Sequence, residues 1–135
     1  MNLGKIYDAE AKAYSSKVEV CLKSFKACYN AGDPDGAAGR LYYACYHAVY
    51  ATLLKFGKEA RTHKGVNMEL ANLIKERSLD RELLITFSQL QTLRLDADYN
   101  PNKGVDSTVL EDLVKPAYHL IEVMKNLYSM SGNVK

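Results

Sequence analysis

Residues 41–54, LYYACYHAVYATLL, form a helix-length segment without a formally charged residue, and this segment is the strongest indication of the fold. A helix that is apolar or aromatic all round is expected to be covered by neighbours on several sides. Asp33 and Pro34 precede the segment as predicted N-cap and first turn, and the helix is expected to run to about Phe56 and stop at Gly57. In so small a chain, a helix this enclosed also suggests a second subunit, and we expect a homodimer.

Helical periodicity dominates outward from this segment, and no stretch shows the alternation typical of a strand. A turn is expected at residues 100–104, NPNKG, and a kink at Pro116. The sequence therefore predicts one domain, residues 1–135, with an all-α fold: an up-and-down helical bundle of four long helices and one short helix. The predicted helices cover residues 6–29, 33–56, 62–77, 78–99 (starting at Ser78 or Asp80) and 106–130 (starting at Asp106 or Ser107).

The composition is that of one ordinary globular domain: 135 residues, 47% hydrophobic, 25% charged, with a formal net charge of +2. Because the net charge is close to zero, any contact with nucleic acid has to come from a local patch. The three cysteines are expected to be small buried residues in a reducing compartment. No apolar run reaches the ~18 residues needed to span a bilayer, so we expect a cytoplasmic protein without membrane association.

Motifs typical of several large enzyme classes are missing from the sequence. It contains no HExxH, GxxxxGK[ST] or GxGxxG, which removes support for a zinc peptidase, a P-loop protein or a Rossmann dehydrogenase. Three scattered histidines and cysteines without CxxC spacing do not form a metal-ligand cluster. We therefore expect no metal and no cofactor.

Four polar residues form a stripe on the second predicted helix. Arg40, Tyr43, His47 and Tyr50 are spaced i, i+3, i+7 and i+10. Arginine can hold a phosphate through two hydrogen bonds, and histidine can move a proton near neutral pH. Arg40 and His47 are therefore candidate catalytic residues, and Tyr43 and Tyr50 are candidate binding residues. The alternative is a buried His47 hydrogen-bonded to a tyrosine, with Arg40 reaching solvent.

Tyrosine is unusually frequent, with ten residues against three phenylalanines and no tryptophan. Buried hydroxyl groups need hydrogen-bond partners, so a tyrosine cluster suits a hydrogen-bonded cleft or interface better than a dry core. Four of the ten lie around His47 on the second helix: Tyr42, Tyr43, Tyr46 and Tyr50.

Arg94 lies on the predicted core-facing stripe of the fourth helix, between Leu90 and Ala97. A charge in that position is unfavourable unless it is paired or reaches a solvated cleft. Asp98, four residues later, is the predicted partner, and Tyr99 follows at the helix end. The pair is either structural or the floor of a functional cleft. Arg94 is a candidate catalytic residue, and Asp98 and Tyr99 are candidate binding residues.

A basic stretch joins the second and third predicted helices. Lys55, Lys58, Arg61 and Lys64 stand there against a single acid, Glu59. Free N–H groups at the start of the third helix can attract an anion, so His63 and Lys64 are candidate binding residues for RNA or phosphate. The alternative is that these cations only complement the dipole of the preceding helix.

Together these segments resemble the HEPN superfamily, and more narrowly its small stand-alone prokaryotic proteins. The resemblance rests on RLYYACYHA at 40–48, Gly57, THKGV at 62–66 and RLDADY at 94–99, in that order along nearly the whole chain. It implies a bundle of four or five helices that forms a homodimer. It also implies a minimal nucleotidyltransferase as partner in a toxin–antitoxin pair.

Many proteins of this superfamily are metal-independent endoribonucleases with an Arg-x4-6-His motif in a cleft at the dimer interface. Arg40 and His47 have that spacing, but on the second helix and not on a late one. Arg94 stands on a late helix, where the arginine of the motif is expected, but Tyr99 occupies the place of the histidine. In this family a tyrosine near the motif can accept AMP from the nucleotidyltransferase partner. Three functions stay open: binding of the transferase with RNA or nucleotide, RNA cleavage by Arg40, His47 and Arg94, and a purely structural role.

Overall fold

The structure, a computed structural model, describes residues 3–100, 102 and 104–131, with side chains between residues 7 and 130. It contains no strand within these residues, which confirms the predicted all-α bundle. The five helices are α1 (Leu3–Asn30), α2 (Pro34–Lys55), α3 (His63–Glu76), α4 (Glu82–Tyr99) and α5 (Ser107–Ser131).

Helix α2 begins and ends where the sequence predicts. The Asp33 carboxylate accepts a hydrogen bond from the Gly36 backbone N–H at 3.0 Å, and Pro34 is the first helical residue. Gly57, at a φ of +74°, adopts the left-handed conformation that ends a helix. Thr62 caps α3 through its side chain, again as predicted.

Helix α4 begins a few residues later than predicted. The carboxylate of Asp80 accepts a hydrogen bond from the Glu82 N–H at 2.9 Å, and Ser78 has a φ of +54°. The chain therefore completes a turn before the helix starts at Glu82.

The last predicted turn and helix are described in part. Pro101 and Lys103 of the turn lie outside the described residues, whereas the Gly104 N–H donates to the Asn100 carbonyl at 3.0 Å. Helix α5 is continuous through Pro116, and a kink there stays a prediction.

Helix α2 lies at the centre and packs against each of the other four helices. The four long helices alternate in direction along the chain, so α2 is antiparallel to α1 and α4 and parallel to α5. Helix α3 is the short one, and the connection before it runs back along α2. Helices α1 and α2 are antiparallel, since Tyr14 lies beside His47 and Cys28 lies beside Gly36. Helices α2 and α5 are parallel, since Cys45 contacts Ala117 and Thr52 contacts Met124. Helices α4 and α5 are antiparallel, since Leu93 and Val109 line one cavity and Leu83 and Pro116 line another.

Helix α2 is buried mainly by the other helices of the same chain. Within residues 41–54 only Tyr43, Tyr46 and His47 are half-buried, and every other residue is buried. The enclosure that suggested a second subunit is thus largely provided by α1, α4 and α5. Within residues 41–54, a second subunit could meet only the half-buried strip formed by Tyr43, Tyr46 and His47.

The three cysteines are free thiols. Cys21 and Cys45 are buried as predicted, whereas Cys28 is half-buried beside the start of α2. None of the described helices is long and apolar enough to cross a membrane.

Candidate functional site

The half-buried strip of α2 is part of a larger cluster of rings that α1 and α3 complete. Ring centroids lie 5.6 Å apart for Tyr14 and His47, and 5.8 Å apart for Tyr46 and His47. On the other side, the Tyr46 ring lies 5.0 Å from that of His63, the first residue of α3. We call this cluster the aromatic face; it comprises Tyr14, Tyr43, Tyr46, His47, Tyr50 and His63.

His47 points towards α1 from this face. Its Nδ1 is buried without a hydrogen-bond partner in the described part of the protein, while Nε2 is not enclosed in this way. Burial, and secondarily the charge of Lys17, lowers the pKa of His47 below its usual value. The ring is therefore neutral near pH 7 and can accept a proton at Nε2.

The tyrosine–histidine hydrogen bond foreseen as an alternative for His47 is made by His63 instead. The hydroxyl of Tyr42 lies 2.7 Å from His63 Nδ1. Burial raises the pKa of Tyr42, and burial together with Arg94 lowers the pKa of His63. With both groups neutral, a Tyr42 hydroxyl that donates to Nδ1 leaves the proton of His63 on Nε2.

Arg94 borders the aromatic face from α4, and its predicted ion pair with Asp98 is confirmed. Its Nε lies 3.1 Å from an Asp98 oxygen, although the N–H is not aimed well enough for a hydrogen bond. The guanidinium lies 5.3 Å from the Tyr43 ring centroid, 5.9 Å from that of Tyr42 and 6.0 Å from that of Tyr99. Because only 15% of the side chain is exposed, this cation has few water contacts and is well placed to bind an anion.

The three candidate catalytic residues are placed on both sides of the aromatic face. His47 lies on the α1 side beside Tyr14, and Arg40 is exposed on that side near Cys21. Arg94 lies on the opposite side, towards α3 and α4. In the part of the chain that the structure describes, Arg40 has no hydrogen bond or ion pair.

The predicted basic patch between α2 and α3 is mostly neutralised. The ion-pair distances are 3.2 Å for Lys55–Asp8, 3.0 Å for Lys58–Glu76 and 2.9 Å for Arg61–Glu59. The stretch itself contains one acid, Glu59, but the fold brings acids from α1 and α3 to the same cations. Lys64 is exposed and carries no ion pair among the described side chains. The patch therefore does not form a continuous cationic surface.

The predicted binding tyrosines differ in exposure. Tyr43 is half-buried, whereas Tyr50 is buried with its ring edge-on to Tyr14, at 4.7 Å between centroids. Burial raises the pKa of Tyr50 to about 12. Tyr99 is 68% exposed at the end of α4. A wet, hydrogen-bonded cleft or interface was predicted for all four tyrosines of α2. Tyr42 instead lies fully buried in the core, although its hydroxyl has a hydrogen-bond partner in His63.

Two residues of α1 belong to the site and were not predicted. Tyr14 packs on His47, and Lys17 lies with its Nζ 5.4 Å from the Tyr14 ring centroid. Their i, i+3 spacing was visible in the sequence, but only the antiparallel packing of α1 against α2 places them beside His47. Within the described residues, no group of three or more His, Cys, Asp or Glu could hold a metal ion.

Comparison with known proteins identifies relatives over almost the entire chain. A sequence model of the HEPN domain matches residues 11–127. A protein of Methanocaldococcus jannaschii that carries the name "Putative toxin" is 28% identical over 129 residues, 95% of this chain and 87% of that protein. A protein of Archaeoglobus fulgidus named "UPF0332 protein" is 26% identical over 110 residues, 82% of this chain and 88% of that protein.

Proposed function

The chain belongs to the HEPN domain family, and we propose that it is a toxin-like member that binds RNA or nucleotide at its aromatic face. The observation that carries this proposal is the combination of half-buried rings with a cation on each side, Lys17 on α1 and Arg94 on α4. Stacking of a base on an aromatic side chain contributes roughly 1–3 kcal/mol. The Arg94 guanidinium supplies a forked donor for a phosphate.

Binding is tested with a short, unpaired, fluorescently labelled RNA. We expect Arg94→Ala to weaken binding about tenfold or more, because a poorly hydrated cation is lost from the face. Arg81→Ala removes the same formal charge from an exposed position at the start of α4 and serves as the matched control. Equal affinity of the two variants would show that the RNA does not bind at the aromatic face.

A second candidate function, metal-independent RNA cleavage, is favoured by the state of His47. Its ring is neutral near pH 7, and Nδ1 but not Nε2 is buried without a partner, so Nε2 is the nitrogen that could take the proton of an RNA 2′-hydroxyl. The 2′-oxygen then bonds to phosphorus, the P–O5′ bond breaks, and O5′ takes a proton from water. Arg94, and Arg40 at the α1 side, would stabilise the charge on the phosphate oxygens.

Cleavage is tested with purified protein and single-stranded RNA in the presence of EDTA. We expect His47→Ala to abolish cleavage while far-UV circular dichroism shows an intact fold. His119→Ala, at an exposed histidine of α5, is the control and should cleave normally. Undiminished cleavage by His47→Ala would point to a contaminating nuclease and remove His47 from the mechanism.

A minimal nucleotidyltransferase is the proposed protein partner, in a toxin–antitoxin pair. This proposal is supported by the family and by the name of the M. jannaschii relative. Tyr99 is accessible at the end of α4 and adjoins Arg94, so it is a candidate contact or acceptor of AMP. Co-expression with a nucleotidyltransferase from the neighbouring reading frame should give a complex that co-elutes in gel filtration. Separate elution at micromolar concentrations would contradict the partnership.

A homodimer is proposed through the half-buried strip of α2. Tyr43, Tyr46 and His47 are the members of the 41–54 segment that the chain leaves open. Light scattering at tens of micromolar should give twice the mass of the 15.1 kDa chain. A monomer mass at that concentration would remove the dimer from the proposal.

A further inference from the structure

We propose that the Tyr42–His63 hydrogen bond is a pH-sensitive latch, which holds the start of α3 against α2 and opens on acidification to widen access to the aromatic face. The opening itself is a property of the fold and does not depend on what the face binds. Its effect on ligand access rests on the proposed RNA or nucleotide function.

The α2 side of the latch is rigid. Tyr42 is 0% exposed, and its ring stacks on Phe87 of α4 with 5.7 Å between centroids. Its hydroxyl has one hydrogen-bond partner among the described residues, His63. A buried hydroxyl without a partner is unfavourable, so the conformation in which His63 stays hydrogen-bonded to Tyr42 is lower in free energy.

On the α3 side of the latch, His63 acts beside buried apolar neighbours. His63 follows the seven-residue connection 56–62 and is the first residue of α3. The first buried apolar residue of this helix is Val66, and the next cross-link to α4 is the Asn67–Gln91 hydrogen bond at 2.9 Å. Val66 is 0% exposed and Ala60 of the connection is 8% exposed, so these two apolar residues anchor the segment together with His63. His63 supplies the side-chain hydrogen bond between the first turn of α3 and α2, and it is the anchor with a titratable ring.

The surroundings of His63 disfavour a positive charge on its ring. From α2 it is faced by the hydroxyl-bearing rings of Tyr42 and Tyr46, and from α4 by Arg94, whose charge is only partly balanced by Asp98. Its position in the first turn adds the positive end of the α3 dipole. Burial and Arg94 accordingly lower the pKa of His63.

Protonation of His63 deprives the Tyr42 hydroxyl proton of its acceptor. A protonated Nδ1 can only donate to the hydroxyl oxygen, and burial keeps that hydroxyl protonated by raising its pKa, so the hydroxyl proton is left without an acceptor among the described residues. In the open state His63 is solvated and titrates near its ordinary value of about 6.5. Since the open state binds protons more readily than the closed state, acid shifts the equilibrium towards opening. The opening constant therefore rises as the pH falls below about 6.5.

The latch is tested by amide hydrogen exchange at about pH 7.5 and about pH 5, corrected for the intrinsic pH dependence of exchange. In the natural chain we expect protection of residues 58–66 to fall at the lower pH, beyond the intrinsic change in exchange rate. Protection within the central part of α2, residues 44–52, should not change. His63→Asn keeps an acceptor near the Nδ1 position but does not titrate, so its 58–66 segment should show no such loss. His47→Gln removes the other titrating ring of the aromatic face and should behave like the natural chain.

Each result decides the proposal. Unchanged protection in the natural chain, or the same acid-induced loss in His63→Asn, would overturn the latch. An acid-induced loss of protection in residues 58–66 of the natural chain that disappears only in His63→Asn would support the latch. If opening is observed but RNA affinity does not depend on pH, the latch stands and its link to the aromatic face fails. If RNA does not bind at any pH, the proposed function fails independently of the latch.

Discussion

Thr52 shows how one polar side chain can join two helices of the core. It is 1% exposed, and its hydroxyl oxygen lies 2.8 Å from the Ala48 carbonyl and 3.0 Å from the Met124 carbonyl. The first contact stays within α2, whereas the second reaches α5. The hydroxyl therefore contributes to the parallel packing of α2 and α5 as well as to its own helix.

Replacing this hydroxyl by a methyl group, in Thr52→Val, should lower the free energy of unfolding by about 1 kcal/mol, because a buried hydrogen bond is lost while the shape is kept. Thr92→Val is the control, since Thr92 makes the equivalent bond to Ser88 at 3.2 Å but on the exposed surface of α4. Urea unfolding measures both. Equal losses would mean that the contact with α5 adds no stability.

At the scale of the element, the beginning of α2 depends on one cap. Gly36 donates its N–H to the Asp33 carboxylate, and its missing side chain leaves room for that carboxylate. A β-carbon at Gly36 would clash with an Asp33 carboxylate oxygen and would lie 3.1 Å from the Cys28 sulfur. A β-carbon at Gly39, in the next turn, would have no neighbouring atom within 4 Å.

These two glycines should respond oppositely to alanine. Gly39→Ala should raise the free energy of unfolding by about 0.5–1 kcal/mol, because alanine has the higher helix propensity. Gly36→Ala should lower it, because displacing the Asp33 carboxylate costs about 1 kcal/mol of capping and crowds the packing against α1. Thermal or urea unfolding of the pair gives the answer. Stabilisation by both substitutions would contradict the role of the cap.

At the scale of the whole molecule, stability is expected to depend on two histidines. The pKa values of His47 and His63 are both lowered in the folded protein, chiefly by burial. Below the unfolded value of about 6.5, the unfolded chain binds more protons than the folded chain. The stabilising contribution of the neutral rings is therefore complete above about pH 6.5 and decreases as the pH falls towards the folded values.

Urea unfolding at about pH 7.5, 6 and 5 should show this decrease in the natural chain. The double variant His47→Gln with His63→Asn should lose less stability over the same interval, because neither position titrates. His119→Gln changes the exposed histidine of α5 and should keep the full decrease. A double variant as acid-sensitive as the natural chain would show that other groups cause the effect.

Interactions over short stretches of chain were determined by the sequence alone. The caps at Asp33 and Thr62 and the Arg94–Asp98 pair link residues three or four positions apart, and helix geometry brings such residues together whatever surrounds them. The apolar periodicity likewise predicted the five helices and the all-α bundle, since each helix has to bury its apolar face.

Which groups meet across helices depends on how the helices pack in the folded protein. Helix packing places the Tyr14 ring against His47 and the Tyr42 hydroxyl within hydrogen-bonding distance of His63. It also pairs cations of the basic stretch with the acids Asp8 and Glu76. These partners are tens of residues away, and their distance depends on how the helices pack and not on local spacing. Burial then sets the charge of each imidazole, because it penalises the protonated form. The sequence could therefore name the candidate residues of the site but not their partners or their protonation states.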